Sequence, residues 1–209
     1  MSDRIAKIIS YLFHPVFMPL LASYILLHTH TYVAFSILPK GKLVIYAILM
    51  LCTVMLPIIT ALVLLRNGMI ETLHMETKEE RRLPFLATAI YYFTAYYLLA
   101  KLPLPRIIML LQLGATLSVI LVLLINLRWK ISVHMTGIGG FVGAVIGISF
   151  ELGADLRTLL GVLIICAGLV ASARISLKMH KPAQVYAGFL LGVLSEWLVI
   201  SAMTPMIST

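Results

Sequence analysis

The chain has 209 residues, 61% of them apolar and only 11% charged, with a mean hydropathy of +1.05. A soluble domain has too little interior to hide that much apolar surface, so the composition excludes one and implies an all-α polytopic membrane bundle, a single domain over residues 1–209. The net charge of +8 comes without a basic stripe interleaved with aromatics, which excludes nucleic acid as a partner. In a membrane protein such an excess reflects loop bias and contact with anionic lipid.

The apolar run after Met1–Lys7 is interrupted by His14, Pro15 and Pro19 and lacks a small-residue cleavage site. It reads as a retained first span at about 8–35 and not as a signal peptide. Further apolar stretches predict spans at about 43–65, 84–100, 106–127, 135–150, 158–173 and 184–203. Seven is the expected number; six results if the first is interfacial or the short third re-entrant. Cys52 and Cys166 lie mid-way along apolar runs, without metal-ligand spacing, and read as packing residues.

The longest polar stretch, 66–82, carries Glu71, His74, Glu76, Lys78, Glu79, Glu80, Arg81 and Arg82, followed by Pro84 at a favoured first-turn position. Its charge-rich part is expected to be helical and wet. Tyr91, Tyr92, Tyr96 and Tyr97 follow at helical spacing and read as an aromatic belt or core packing. Glu151 and Asp155 read as a solvated loop on the opposite side. Asn126 and Glu196 lie inside spans, where such groups are functional candidates by default, with helix–helix hydrogen bonding as their commoner use.

Two later loops hold the remaining polar residues. One reads Trp129-Lys130-Ile131-Ser132-Val133-His134, and places Ser132 and His134 where a new helix starts. Helix N-termini offer free amide donors to an anion. The other runs from Ala173-Arg174 through Lys178, His180 and Lys181-Pro182 to Gln184-Val185 and Gly188. Gly139, Gly143 and Gly147 recur every four residues in the fifth span, as Gly188 and Gly192 do in the seventh. Small residues at that spacing let membrane helices approach closely. Packing those faces together brings His134 and His180 to neighbouring helix ends.

Seven spans place the 66–82, 128–134 and 174–183 loops on the N-terminal side, so one shared site is permitted. That side then carries the basic residues Arg4, Lys7, Arg66, Lys78, Arg81, Arg82, Arg128, Lys130, Arg174, Lys178 and Lys181, against Lys40, Lys42, Lys101, Arg106 and Arg157. The bias favours a cytoplasmic N-terminal side. It vanishes when Lys78, Arg81, Arg82, Lys130, Arg174 and Lys178 are assigned to an anionic ligand instead.

These residues resemble the type 2 phosphatidic acid phosphatase superfamily of membrane lipid phosphatases. The family's third motif is Ser-Arg, five residues, His, three residues, Asp, and Ala173-Arg174, His180 and Gln184 follow that frame. Its second, Pro-Ser-Gly-His, is matched by Ser132 and His134 alone, and its first, Lys, six residues, Arg-Pro, only loosely by Lys78, Arg81, Arg82 and Pro84. The resemblance covers roughly residues 66–200. It implies that His180 attacks phosphorus, that His134 donates a proton to the leaving oxygen, and that Arg174, Arg81 or Arg82, Lys78 and Ser132 hold the phosphoryl oxygens. It implies neither metal nor other cofactor.

Gln184 departs from the family. It can orient the His180 ring but brings no charge, and Glu196 stands about 18 Å further along the helix, too far to replace it. Glu76, Glu79 or Glu80 could supply a carboxylate from the first loop. The expected activity is metal-independent hydrolysis or transfer on a lipid phosphomonoester or pyrophosphate in a bacterial inner membrane, with a homo-oligomer permitted. The competing expectation is a non-catalytic protein that binds or moves lipid phosphates. A small-solute transporter built on Glu196 and Asn126 is disfavoured by the lack of an inverted repeat.

Overall fold

The computed structural model describes residues 1–73, 75, 77 and 79–203. The described residues form helices without strands, as expected where hydrocarbon cannot satisfy open backbone groups. Among the described residues seven segments are long and apolar enough to cross a bilayer: Asp3–His28, Pro39–Arg66, Arg82–Ala100, Arg106–Asn126, Val133–Leu152, Arg157–Ser176 and Pro182–Met203. This is an integral membrane bundle in contact with lipid.

The first segment is not one rod. It comprises α1 (Asp3–Leu12), a 3₁₀ turn at Pro15–Phe17 and α2 (Met18–His28). Proline has no amide donor and forces the preceding residue to extend, and His14 accordingly sits at ψ 133°. The expected span at about 8–35 therefore breaks in its first half and ends at His28, before the separate short helix α3 (Tyr32–Ser36). The second segment runs from α4 (Pro39–Leu49) through a π-helical stretch, Met50–Met55, into α5 (Leu56–Arg66). Pro57 removes a backbone bond there, and the widened turn before it relieves the ring's clash with the preceding carbonyl.

The expected helix in the charged loop is corrected. Described residues between Arg66 and Arg82 form turns, with Gly68 and Met75 at φ 69° and 47°. The Glu80 carboxylate accepts from the Glu71 and Thr77 amides at 2.7 and 3.2 Å, and from Thr77 Oγ1 at 3.0 Å. Such local side-chain bonds give the backbone an alternative to helix. Those hydrogen bonds also hold the Glu80 carboxyl below its usual range.

The helices α6 (Arg82–Ala100), α7 (Arg106–Asn126), α8 (Val133–Leu152), α9 (Arg157–Ser176) and α10 (Pro182–Met203) complete the bundle. Pro84 falls in the first turn of α6, as the sequence suggests. The most extensive contact is between α8 and α10, and α8 also touches α2, α7 and α9. Glycine makes this possible. A Cβ on Gly143 would lie 2.9 Å from Val193 Cα, and one on Gly192 would lie 2.6 Å from the Gly140 amide nitrogen. These neighbours are backbone and cannot swing aside. Gly143→Ala should lower the melting temperature in detergent, with an overpacking cost of about 1–3 kcal/mol. Gly168→Ala, whose Cβ would meet nothing within 4 Å, should leave it unchanged or raise it.

Candidate functional site

The loop that carries His180 is set by two helix ends. At the end of α9 the Lys178 amide bonds to the Ile175 carbonyl at 2.9 Å, and the Met179 amide to the Arg174 carbonyl at 3.2 Å. This is a Schellman closure, with Lys178 at φ 55° where glycine is usual. Three residues on, α10 begins with Pro182 at its first position. Gln184 stands at the third and reaches back, its Oε1 accepting from the Lys181 amide at 3.0 Å. That is the returning half of a capping box.

The same Oε1 lies 3.2 Å from His180 Nδ1. An amide N–H can only donate, so its partner atom on Gln184 is the oxygen, and Nδ1 must carry the hydrogen that meets it. His180 is thereby fixed with Nε2 unprotonated and its lone pair available. Burial, then the Arg174 and Arg81 charges, press the imidazole's pKa down to about 3 against the weaker pull of Gln184, with Lys130 adding to the depression. The ring is neutral at physiological pH.

His134 is held from the other end of the chain. Its Nε2 donates to the Ser10 carbonyl at 3.2 Å, while Ser10 Oγ accepts from Arg174 Nη1 at 3.3 Å. One residue of α1 thus anchors both groups. His14, at the break after α1, accepts the Val16 amide on Nδ1 at 3.4 Å, which puts its own proton on Nε2. Its ring stands edge-on to His134, with centroids 5.3 Å apart.

Arg81 and Arg174 are 5% and 7% exposed. Arg81 Nε donates to the Met75 carbonyl at 2.8 Å. Arg81 Nη1 and Arg174 Nε are buried with no hydrogen-bond partner among the described residues. Burial, and secondarily the Arg174 charge, lower the Arg81 pKa to about 10, so it remains a cation at neutral pH. Two buried guanidiniums with open donors repel each other and favour an anion between them.

Ser10, His14, Arg81, His134, Arg174, Lys178 and His180 all line one cavity of about 1240 Å³. The structure thus brings together four of the residues expected from sequence: His180, His134, Arg174 and Arg81. Gln184 supports the site from behind, since it touches His180 but does not line the cavity. Ser132 is fully buried, with Oγ unpartnered, and also lies outside the lining; its amide donates to the Gln184 backbone carbonyl at 3.2 Å. Arg82 is exposed and turned away. Lys78, like Glu76, lies outside the described residues.

Other candidates separate in the same way. Of the four tyrosines only Tyr92 lines the cavity, while Tyr91 bonds Thr60 and Tyr97 sits under Lys101. Asp155 is exposed and paired with Arg157 at 2.7 Å. Sequence reasoning missed Ser10 and His14. The one signal for them was the His-Pro interruption in an otherwise apolar first span.

In comparison with known proteins, no family model matches this chain, and no curated protein and no solved structure matches it.

The tautomer has a spectroscopic signature. In ¹⁵N-histidine spectra of the purified protein, His180 should be a neutral Nδ1–H imidazole at pH 7 and remain so at pH 5. Gln184→Glu keeps both bonds and adds an opposite charge, so it should move the titration upward. An unshifted titration in that variant would contradict the contact.

Proposed function

We propose that the protein is a membrane phosphatase or phosphotransferase acting on a lipid phosphomonoester or pyrophosphate, placed in a bacterial inner membrane. The observation that carries this reading is the fixed lone pair on His180 Nε2, on a cavity wall shared with two buried guanidiniums whose donors are open. A neutral imidazole next to an anion clamp suits attack on phosphorus.

The lining also supports lateral access for a lipid. Ala22 and Ser23 of α2 and Ile58 and Leu62 of α5 form part of the wall. Ile58 and Leu62 are 40% and 49% exposed, and α5 packs chiefly on α6 and the π-helical stretch. A tail can therefore lie against apolar side chains while its phosphate meets the arginines at the bundle end.

In this mechanism His180 Nε2 forms a bond to phosphorus as the bond from phosphorus to the leaving oxygen breaks. Arg81 and Arg174 neutralise charge on the phosphoryl oxygens. With Nε2 of His134 donating to the Ser10 carbonyl, Nδ1 is the ring nitrogen left to exchange a proton, and the leaving oxygen takes its proton through the His134–His14 pair as the bond to phosphorus breaks. Water then attacks phosphorus, the P–N bond breaks, inorganic phosphate leaves, and the water's proton restores the histidine pair. Transfer to an alcohol in place of water gives phosphotransfer.

A second reading is favoured by Gln184. Without a carboxylate, the cation formed on His180 during attack gains no opposite charge; loss of that charge in a serine protease triad costs about 10⁴-fold in turnover, partly through a wrong tautomer. Here the tautomer is already correct. A binding or transport protein for lipid phosphates would show affinity without turnover.

Phosphate release from a panel of lipid phosphates distinguishes the two. Wild type should release phosphate without added metal, His180→Ala should lose at least about 10³-fold, and Gln184→Glu should raise turnover by about tenfold or more. Full activity in His180→Ala would sink the mechanism. Tight binding with no release in any of the three would establish the second reading.

His14→Phe provides a separate check on proton delivery. It keeps the ring but removes both nitrogens, and should lower turnover about 10²-fold on substrates with poor leaving groups. Turnover of an aryl phosphate, which needs no proton on its leaving oxygen, should fall far less.

A further inference from the structure

The cavity does not end at the arginines. It continues inward to Gln112 and Ser118 of α7, Tyr92 of α6 and Glu196 of α10. Glu196 is twelve residues beyond Gln184 on one helix, about 18 Å at 1.5 Å per residue. In a hydrocarbon layer about 30 Å thick that is near mid-depth.

Glu196 is built in, not merely tolerated. A Cβ on Gly114 of α7 would lie 2.7 Å from Glu196 Cδ and run into Oε2, and one on Gly140 of α8 would lie 3.4 Å from Glu196 Cγ. Gly114 therefore makes the room that admits this side chain, and Gly140 lines it at van der Waals distance. The expected helix–helix hydrogen bond is absent: Glu196 is 6% exposed, and its Oε2 has no partner among the described residues. Ser118, also 6% exposed and one turn from Gly114, has an unpartnered Oγ. Gln112 Nε2 already donates to the Tyr92 carbonyl at 3.1 Å, which leaves its Oε1 as the remaining acceptor.

Unmatched buried polar atoms at mid-membrane are costly. Here they adjoin a cavity whose outer end takes an anion. We propose that this inner end is a second polar subsite, and that the ligand is an amphiphile with a phosphate at one end and a hydrogen-bonding group such as a hydroxyl about 18 Å along its apolar chain. The Ser118 hydroxyl, the Glu196 carboxyl and the Gln112 amide can each give as well as take a hydrogen bond, so the subsite selects a group that does both, as a hydroxyl does. The inference rests on the phosphate reading of the outer end, and the test separates the two.

Binding of tetradecyl phosphate and of ω-hydroxytetradecyl phosphate to the purified full chain is compared in one detergent. Wild type should prefer the hydroxylated probe by about tenfold, the worth of one hydrogen bond. Glu196→Met, similar in length but without acceptor oxygens, should lose that preference and still bind tetradecyl phosphate. Equal affinity of wild type for both probes overturns the subsite, whether or not the variant folds. If neither probe binds, the phosphate reading fails, and 1-tetradecanol decides the subsite alone: saturable binding that Glu196→Met weakens supports it, and absence of such binding overturns it.

Discussion

One carbonyl oxygen organises the site. Oε1 of Gln184 accepts both the Lys181 amide, an orphan donor at the start of α10, and the Nδ1 proton of His180. The first bond belongs to helix capping, which any helix N-terminus needs. The second uses the same fixed oxygen to choose a histidine tautomer. The residue's backbone carbonyl also receives the Ser132 amide just before α8 begins. The start of α10, the start of α8 and the ring of His180 are thus referred to a single residue. Their distance apart is set further down, where the glycine faces of α8 and α10 meet backbone to backbone.

The charge arrangement follows from that framework. Arg81 and Arg174 are buried near each other, and among the described residues neither forms an ion pair with a carboxylate. Each is held by a neutral oxygen, the Met75 carbonyl in one case and Ser10 Oγ in the other. Neutral acceptors fix the direction of a guanidinium without cancelling its charge. The positive potential in the cavity is therefore retained, and it adds to burial, the larger cause, in keeping His180 neutral. The two charges that favour an anion in the cavity thus also help to keep the imidazole unprotonated.

Helix number, the close α8–α10 face and the convergence of Arg81, His134, Arg174 and His180 were legible because periodicity and short-range spacing encode them. The N-terminal contribution was not. Ser10 meets His134 across 124 positions and Arg174 across 164, and nothing local to Ser10 announces such partners. His14 left a trace only as a break in an apolar run, which reads equally as a kink. The charged loop misled for the opposite reason: its composition suits a helix, but Glu80 captures the backbone amides locally. Ser132 lay in a recognisable position, yet the start of α8 turns it into the protein.

An amide at position 184 also relates the two functional readings. On the proposed reading, a carboxylate there would stabilise the imidazolium formed on attack. Its negative charge would also oppose that of a phosphate held in the same cavity. Gln184 keeps the cap and the tautomer without that charge, which on the proposed reading would favour retention of a bound anion over stabilisation of the transition state. Slow turnover with tight binding would then follow from the same oxygen that builds the site. Enzyme and binding protein become the two ends of one scale, and the charge at position 184 sets where this chain stands on it.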